Sequence, residues 1–269
     1  MGLGEWGLKQ PLIQPFAESA LTERTRAASL VAGGLAYRIF FWTIPLGVVL
    51  AAVASYVEDW HPGSLDNAAR RFGISGVVAS SATEAVTEGT HSRFYFLIIG
   101  VGLMGWFGIG VVRALRGVAA LAWGIQIPRL ARPLHASLAF SGIAFGSTAA
   151  LSALGAFRRL GAVPEVLGFL LAIAGVTAVA LGVMMLLPHP TQLGWRAFLP
   201  GALLISIGNL GIQLFVMFYL AAKLERSPAF YGSLGAASVI LLWLYVIARL
   251  IVSAMFLNAT LVHRRAHGG

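Results

Sequence analysis

Long apolar runs separated by charged residues dominate the pattern of this chain. A helix that crosses a bilayer needs about 20 consecutive, mostly apolar residues. Six runs meet this requirement and are predicted to span the membrane, at about 27–57, 94–112, 134–157, 166–187, 198–222 and 230–262. The pattern therefore predicts an all-α integral membrane protein. One six-helix domain (27–262) lies between an N-terminal segment (1–26) and a C-terminal tail (263–269).

The composition agrees with this class of protein. Of the 269 residues, 58% are hydrophobic and 11% are charged, whereas soluble domains carry about 25% charged residues. The mean hydropathy is +0.82. These values exclude a disordered chain, a coiled coil and an ordinary soluble enzyme. The absence of cysteine also excludes a disulfide framework, a thiolate metal site and a cysteine nucleophile.

The distribution of charge predicts the orientation in the membrane. An even number of spans places both termini on one side. If that side is the cytoplasm, the inner segments hold 10 basic and 3 acidic residues, and the outer segments hold 7 of each. Because basic residues concentrate in cytoplasmic loops, we predict both termini in the cytoplasm. The net charge of +9 is then explained by contact with anionic lipid headgroups, and we expect no nucleic-acid partner.

The segments outside the apolar runs also have helical patterns. Loop 58–93 is too long for a simple turn, and its apolar residues predict an amphipathic outer helix. Segment 1–26 lacks the apolar core of a signal peptide and favours a short helix on the inner membrane surface, with a flexible tail as the alternative. Segment 113–133 has an apolar stripe behind arginines, so the second helix should continue into the cytoplasm and end near Gly124 and Pro128.

Four segments carry a family resemblance. They are GLAYRIFFWTIPL (34–46), RALRGVAALAWGI (113–125), WRAFLPGALL (195–204) and YGSLGAASVILLWLY (231–245) with the LNA that follows at 257–259. In this order they resemble the YihY/BrkB family of bacterial inner-membrane proteins, and the YGSLGA…LLWLY block is the most specific part. The resemblance covers most of residues 24–262. It implies a multi-pass protein of the bacterial inner membrane with six helices and cytoplasmic termini.

One position departs from that family pattern. Relatives often carry an acidic residue just before Leu-Asn near the end of the last helix, where this chain has Phe256. Some relatives carry an old label, ribonuclease BN, and others the label of virulence factor. The resemblance implies no settled molecular activity.

Two arginines inside the apolar runs are the first candidates for function. All ten acidic residues lie outside the spans, which argues against the carboxylate relay of cation-coupled transporters. Arg38 and Arg249 lie within the first and sixth runs, and helix rise places both near the inner boundary of the membrane. Guanidinium binds phosphate in a bidentate manner, so we predict that Arg38 and Arg249, with the adjacent Tyr37, bind an anion or a lipid headgroup.

A purely structural role for either arginine is the alternative. Each side chain could reach inner-leaflet phosphates by snorkelling, or bond to backbone carbonyls. An ion pair with Glu23 at the inner surface is a third possibility.

A second polar group lies in the fifth run. Asn209 and Gln213 are four residues apart on one helical face, with Ser206 close by. Together with Tyr219 they are the candidates for a polar cavity wall. The alternative is that the polar residues form hydrogen bonds between helices and that the tyrosine lies at the membrane interface.

The rest of the sequence contains no catalytic constellation. None of the six histidines has a carboxylate at metal-ligand spacing, and neither an H-E-x-x-H nor a G-x-S-x-G motif occurs. We therefore expect no enzyme, no metal and no cofactor, and these residues do not support the ribonuclease label.

Three functions compete on this basis. The leading hypothesis is transporter-like handling of a lipid or other amphipathic anion, bound between helices by Arg38 and Arg249. The second is a scaffold for envelope assembly, which would be a tight bundle with no cavity reaching Arg38. The third is a membrane-associated hydrolase or ribonuclease. Membrane lipids with anionic headgroups are the expected partners, and a homo-oligomer or other envelope proteins are further possibilities.

Overall fold

The computed structural model describes residues 14–25, 27–60, 93–127, 129–157, 162–190, 193–215 and 232–267. These residues form helices and connections, and no strand occurs among them. The helices are α1 (Gln14–Thr25), α2 (Ala28–Trp60), α3 (Arg93–Trp123), α4 (Pro133–Phe157), α5 (Ala162–Leu186), α6 (Leu199–Phe215) and α7 (Gly232–His267). A 3-10 turn, Trp195–Ala197, precedes α6. The all-α class is therefore confirmed for the described residues.

Within the described ranges, four helices are long and apolar enough to cross a membrane. These stretches are Ala28–Val53, Phe94–Trp123, Val166–Leu186 and Ile240–Ala266, and α6 contributes a shorter apolar stretch, Leu199–Ile212. Large apolar side chains such as Trp106 and Leu186 are exposed on the outer faces of these helices. Such a surface is unfavourable in water and favourable in lipid, which supports a membrane location. The arrangement of six spans with both termini inside stays a prediction.

Parts of the predicted topology lie outside the described residues. The helix α2 continues to Trp60, beyond the predicted end of the first run at residue 57, whereas its stretch that is apolar enough to cross a membrane ends at Val53. The amphipathic outer helix predicted for loop 58–93 falls on residues 61–92, and the end of the fifth run falls on residues 216–222; neither is described.

The long helices form a closed ring. Each helix from α2 to α7 packs on the next in chain order, and α7 closes the ring on α2 while also touching α3. The buried core is concentrated where α2, α3 and α7 meet, and it includes Leu35, Val111, Val118 and Val252. Packing of this kind replaces the hydrophobic driving force that water would provide for a soluble bundle.

The extension predicted for the second helix beyond its apolar run is present, and the side of the membrane on which it lies stays a prediction. α3 continues through Trp123, and Gly124 follows with a φ of 67°. The Ile125 N–H donates to the Ala120 carbonyl over 3.0 Å, which completes a left-handed glycine cap. The predicted end of this helix near Gly124 is thereby confirmed.

Small residues allow α3 to approach its neighbours closely. A Cβ atom at Gly108 would overlap the hydroxyl of Ser137, and one at Gly100 would lie 2.8 Å from a methyl group of Val49. The Ser137 hydroxyl in turn donates to the Gly105 carbonyl over 2.8 Å. The glycines of α3 therefore bring α2 and α4 against its backbone, as small residues do in membrane helices.

Asn258 joins α7 to the beginning of α6. Its side chain is buried, and its Oδ1 accepts a hydrogen bond of 2.7 Å from the Gly201 N–H. Its Nδ2 donates to the Phe198 carbonyl over 3.3 Å and contacts Met184 Sδ at 3.4 Å. The first N–H groups of a helix lack partners within that helix, so Asn258 caps α6 from outside.

Nearby Phe256, at the position where relatives often carry an acid, is buried in the apolar core.

The predicted N-terminal helix is present and packs on α7. Glu23 of α1 is buried, and its carboxylate forms an ion pair of 2.6 Å with Arg249. Nearer the C-terminal end of α7, Arg264 lies 3.5 Å from Glu18 and donates to Gln14 Oε1 over 3.1 Å. The Glu23–Arg249 and Glu18–Arg264 ion pairs therefore hold α1 against α7.

Loss of the Asn258 amide is expected to destabilise the bundle. In Asn258→Ala, the buried Gly201 N–H loses its acceptor, which costs about 1–3 kcal/mol of unfolding free energy. Denaturant titration in detergent micelles measures this change. Thr260→Ala is the control, because the Thr260 hydroxyl bonds only within its own helix, to the Phe256 carbonyl. Equal stability of Asn258→Ala and the control would contradict the capping role.

The two ion pairs between α1 and α7 are expected to differ in strength. Glu23 is only 5% exposed, whereas both partners of the Glu18–Arg264 pair are at least 30% exposed. A double-mutant cycle with Glu23→Gln and Arg249→Gln should give a coupling energy of about 1–3 kcal/mol. The matched cycle with Glu18→Gln and Arg264→Gln should give about 0–1 kcal/mol. A stronger coupling for the exposed pair would be incompatible with this view of how α1 is held.

Candidate functional site

An arginine-lined groove lies between α2, α3 and the connection that follows α3. Its volume is about 790 Å³. Four arginines line it: Arg38 from α2, Arg113 and Arg116 from α3, and Arg129 from the connection. We call this feature the arginine groove. No Asp or Glu is among the described residues that line it.

Local structure explains how these four residues meet. Arg113 and Arg116 lie three residues apart, so they share one face of α3, just beyond the uncharged run 94–112 of the sequence. The glycine cap at Gly124 ends α3, and the connection after it carries Arg129 to the same groove. Arg38 joins them because α2 packs along α3.

Arg38 is held in place by the backbone of α3. Its Nη1 donates a hydrogen bond of 2.8 Å to the carbonyl oxygen of Gly110. Gly110 lies one turn before Arg113, so the guanidinium lies near the end of the apolar part of α3. Because a guanidinium has five N–H donors, this single bond leaves others for a ligand.

The walls of the arginine groove are apolar. They include Leu35 of α2, Ala120 and Leu121 of α3, and Ile125 and Ile127 after the cap. Positive charge and apolar surface therefore lie side by side. This combination suits a ligand that has both an anionic group and a hydrocarbon part.

Arg249 occupies a different environment from Arg38. Its Nη2 is paired with Glu23, and it is not among the described residues that line the arginine groove. Its Nη1 is buried without a hydrogen-bond partner in the described part of the chain. The structure thus shows the ion-pair alternative for Arg249 and a carbonyl contact for Arg38. It does not bring the two arginines to one described site.

Tyr37 faces outward from the bundle. Its side chain is 59% exposed, and its ring lies 4.7 Å from that of Phe41 on the same helix. It is not among the described residues that line the arginine groove. A tyrosine placed in this way is typical of the aromatic belt at the membrane interface.

The polar residues of the fifth run have separate positions. The Ser206 hydroxyl donates to the Ile173 carbonyl of α5 over 3.1 Å, so it joins two helices. Asn209 lines an internal cavity. The side chain of Gln213 and the whole of Tyr219 lie outside the described residues.

The cavity that Asn209 lines has lining residues from each helix from α3 to α7. Its volume is about 730 Å³, and its lining is almost wholly apolar, with Phe140, Val176, Ile205 and Ile251 among the larger contributors. We call it the central cavity. Leu115 of α3 lines it, whereas Arg113 and Arg116 line the arginine groove on the opposite face of the same helix.

Two histidines among the described residues contact backbone carbonyls. His189 Nδ1 lies 2.7 Å from the Leu187 carbonyl, and His263 Nδ1 lies 2.7 Å from that of Ala259. Over the described ranges, no group of three or more His, Cys, Asp or Glu side chains is placed to hold a metal ion.

Sequence reasoning missed three of the four groove residues. From the sequence alone, Arg113, Arg116 and Arg129 contribute only to the charge of an inner connection. The spacing of Arg113 and Arg116 on one helical face, behind an apolar stripe, was the available signal. Asn258, the buried cap of α6, was also missed as a structural residue, although it lies in the LNA segment.

Comparison with known proteins places the chain in a family. The family model described as virulence factor BrkB matches residues 23–268. No curated protein and no solved structure matches the chain. The match includes α2 to α7, the arginine groove and the central cavity. On this match the chain belongs to the virulence factor BrkB family, as the YihY/BrkB resemblance of its motifs implied, and its apolar helices make it a membrane protein.

Proposed function

We propose that this protein handles an anionic membrane lipid in a transporter-like role. The phosphate of the lipid lies in the arginine groove, and its hydrocarbon chains lie against the apolar walls. The observation that supports this proposal is the position of Arg38, which lines a groove together with Arg113, Arg116 and Arg129. The proposed role needs no cofactor and no chemical step.

The chemistry of the groove favours a phosphate group. Guanidinium groups bind phosphate through parallel N–H donors and stay charged when partly buried. Near the boundary of the bilayer, charges interact more strongly than in bulk water because the surroundings are less polar. Arg38, Arg113 and Arg129 line the groove with no acid among the described lining residues, which favours an anionic ligand there.

The proposed orientation places the groove at the cytoplasmic leaflet. Positive-inside counting assigns Arg113, Arg116 and Arg129 to the inner side of the membrane. A lipid of the inner leaflet could therefore enter the groove headgroup first. Within this proposal the six helices span the bacterial inner membrane with both termini in the cytoplasm.

The groove favours lipid handling over the scaffold alternative. A scaffold needs only a tight bundle, whereas here a groove of about 790 Å³ reaches Arg38. We assign headgroup binding to Arg38 and its neighbours in the groove. Arg249 is assigned a structural role, because its partner is the buried carboxylate of Glu23.

Neutralising groove arginines is expected to weaken lipid handling. The assay is translocation of labelled phosphatidylglycerol in proteoliposomes, with phosphatidylcholine as the zwitterionic comparison. Arg38→Gln and Arg113→Gln should each lower the apparent affinity for the anionic lipid about tenfold or more, since a charge-assisted hydrogen bond contributes about 1.5–3 kcal/mol. Arg265→Gln is the matched control, because Arg265 is exposed on α7 and does not line the groove.

Two results would count against the proposal. One is an absence of translocation above that of empty vesicles under any ion gradient, which would shift support to the scaffold. The other is an equal loss in Arg265→Gln and Arg38→Gln, which would show that total charge, and not the groove, determines the effect. Thermal unfolding of each variant in detergent confirms that folding is unchanged.

A further inference from the structure

The central cavity has the size and lining of a ligand site distinct from the arginine groove. Its volume of about 730 Å³ lies within the range of small-molecule sites, about 300–1,000 Å³. Among the described residues that line it, none is charged, and the polar side chains are those of Ser147 and Asn209. A site of this composition is suited to hydrocarbon.

Asn209 is the polar group available to a ligand in this cavity. The Ser147 hydroxyl already donates to the Ala144 carbonyl of its own helix over 3.0 Å. Asn209 makes no hydrogen bond to any residue that the structure describes. Its amide offers both a donor and an acceptor, and polar groups inside a membrane protein are costly when they stay unpaired. A ligand with one uncharged polar group would satisfy it.

The absence of charge in the lining determines which lipid fits. A phosphate in the central cavity would lose its hydration and meet no positive side chain among the described lining residues, which is strongly unfavourable. A hydroxyl or an ester group has a smaller desolvation cost, and a carboxamide can pair with either. The long apolar wall then accommodates the attached chain.

The position of the cavity allows a lipid to enter from the bilayer. The cavity is not fully enclosed by the described residues, and Leu171 of α5, which lines it, is 46% exposed. An opening beside Leu171 would admit a lipid chain from the bilayer. Because α3 separates it from the arginine groove, an occupant of the cavity does not contact the groove arginines.

We propose that the central cavity binds an uncharged long-chain lipid. Its hydroxyl or ester group pairs with Asn209, and its chain lies between α5 and α7. This site does not depend on the anionic lipid proposed for the arginine groove, and the two can be tested separately.

Gly175 provides a way to block the cavity without disturbing the fold. Gly175 lines the cavity, and a Cβ atom added there would meet no atom within 4 Å. Gly182, on the same helix, is also open to a Cβ atom but does not line the cavity. Gly175→Leu and Gly182→Leu therefore form a matched pair that differs in whether the new side chain fills the site.

The test is photolabelling of the full-length protein in phosphatidylcholine vesicles. The probe is a diacylglycerol with a photoactivatable diazirine at the end of one acyl chain, and mass spectrometry locates the labelled peptides. We expect labels on cavity-lining residues of α5 and α7. Gly175→Leu should lower this labelling at least about fivefold because it fills the site, whereas Gly182→Leu should leave it unchanged. Ala180→Phe, which also fills the cavity, is a second blocking variant.

Asn209→Leu tests the polar contact separately. The variant keeps a side chain of similar size and removes the amide, so labelling by diacylglycerol should fall about fivefold to the level given by a hydrocarbon probe of equal chain length. Unchanged labelling in this variant would overturn the role of Asn209.

Further outcomes would overturn the site itself. Equal labelling of Gly175→Leu and Gly182→Leu would mean that the probe samples only the outer surface. Equal labelling by a phosphatidylglycerol probe with the same chain would contradict the preference for an uncharged lipid. Arg38→Gln should leave the labelling unchanged, so failure of the arginine groove proposal and failure of the cavity proposal are distinguishable.

Discussion

The hydrogen bonds of the Asn258 side chain hold together the region where α5, α6 and α7 meet. One carboxamide accepts from the N-terminus of α6, donates to the Phe198 carbonyl before it and touches Met184 of α5. Where water is scarce, the first N–H groups of a helix need a partner from the protein. The approach of α6 to α7 is so close that a Cβ atom at Gly201 would overlap the Asn258 amide. Capping and close packing at this point therefore require each other.

α3 separates two environments of opposite character. Its residues Arg113 and Arg116 line a basic groove, and Leu115 lines a cavity whose described lining residues are all uncharged. A helix with 3.6 residues per turn can present such different faces within a single turn. The two proposed ligands differ in the same way, because the groove suits a phosphate and the cavity suits an uncharged group. The two proposals together would allow the protein to discriminate lipids by charge without moving a helix.

The length of the apolar runs was sufficient to predict the long helices but not the contacts between them. Run length gave the helical class, and the glycine after Trp123 gave the end of α3, because both depend on local sequence. The partner of Arg249 was left open, since Glu23 reaches it only after α1 docks on α7. Likewise, Arg113, Arg116 and Arg129 could not be selected as site residues, because their meeting with Arg38 depends on the packing of α2 along α3.

The docking of α1 on α7 has a consequence for how the protein is made. Glu23 leaves the ribosome early, and its partner Arg249 follows 226 residues later. At a synthesis rate of about 5–20 residues per second, Arg249 is added roughly 10–50 s after Glu23, and the Glu23 carboxylate has no ion-pair partner from α7 during that interval. During that interval α2 also lacks the last helix of the ring, which closes on it. Assembly of the bundle is therefore completed from the C-terminal end, and a nascent chain released before α7 leaves Glu23 and one side of α2 without the helix that covers them.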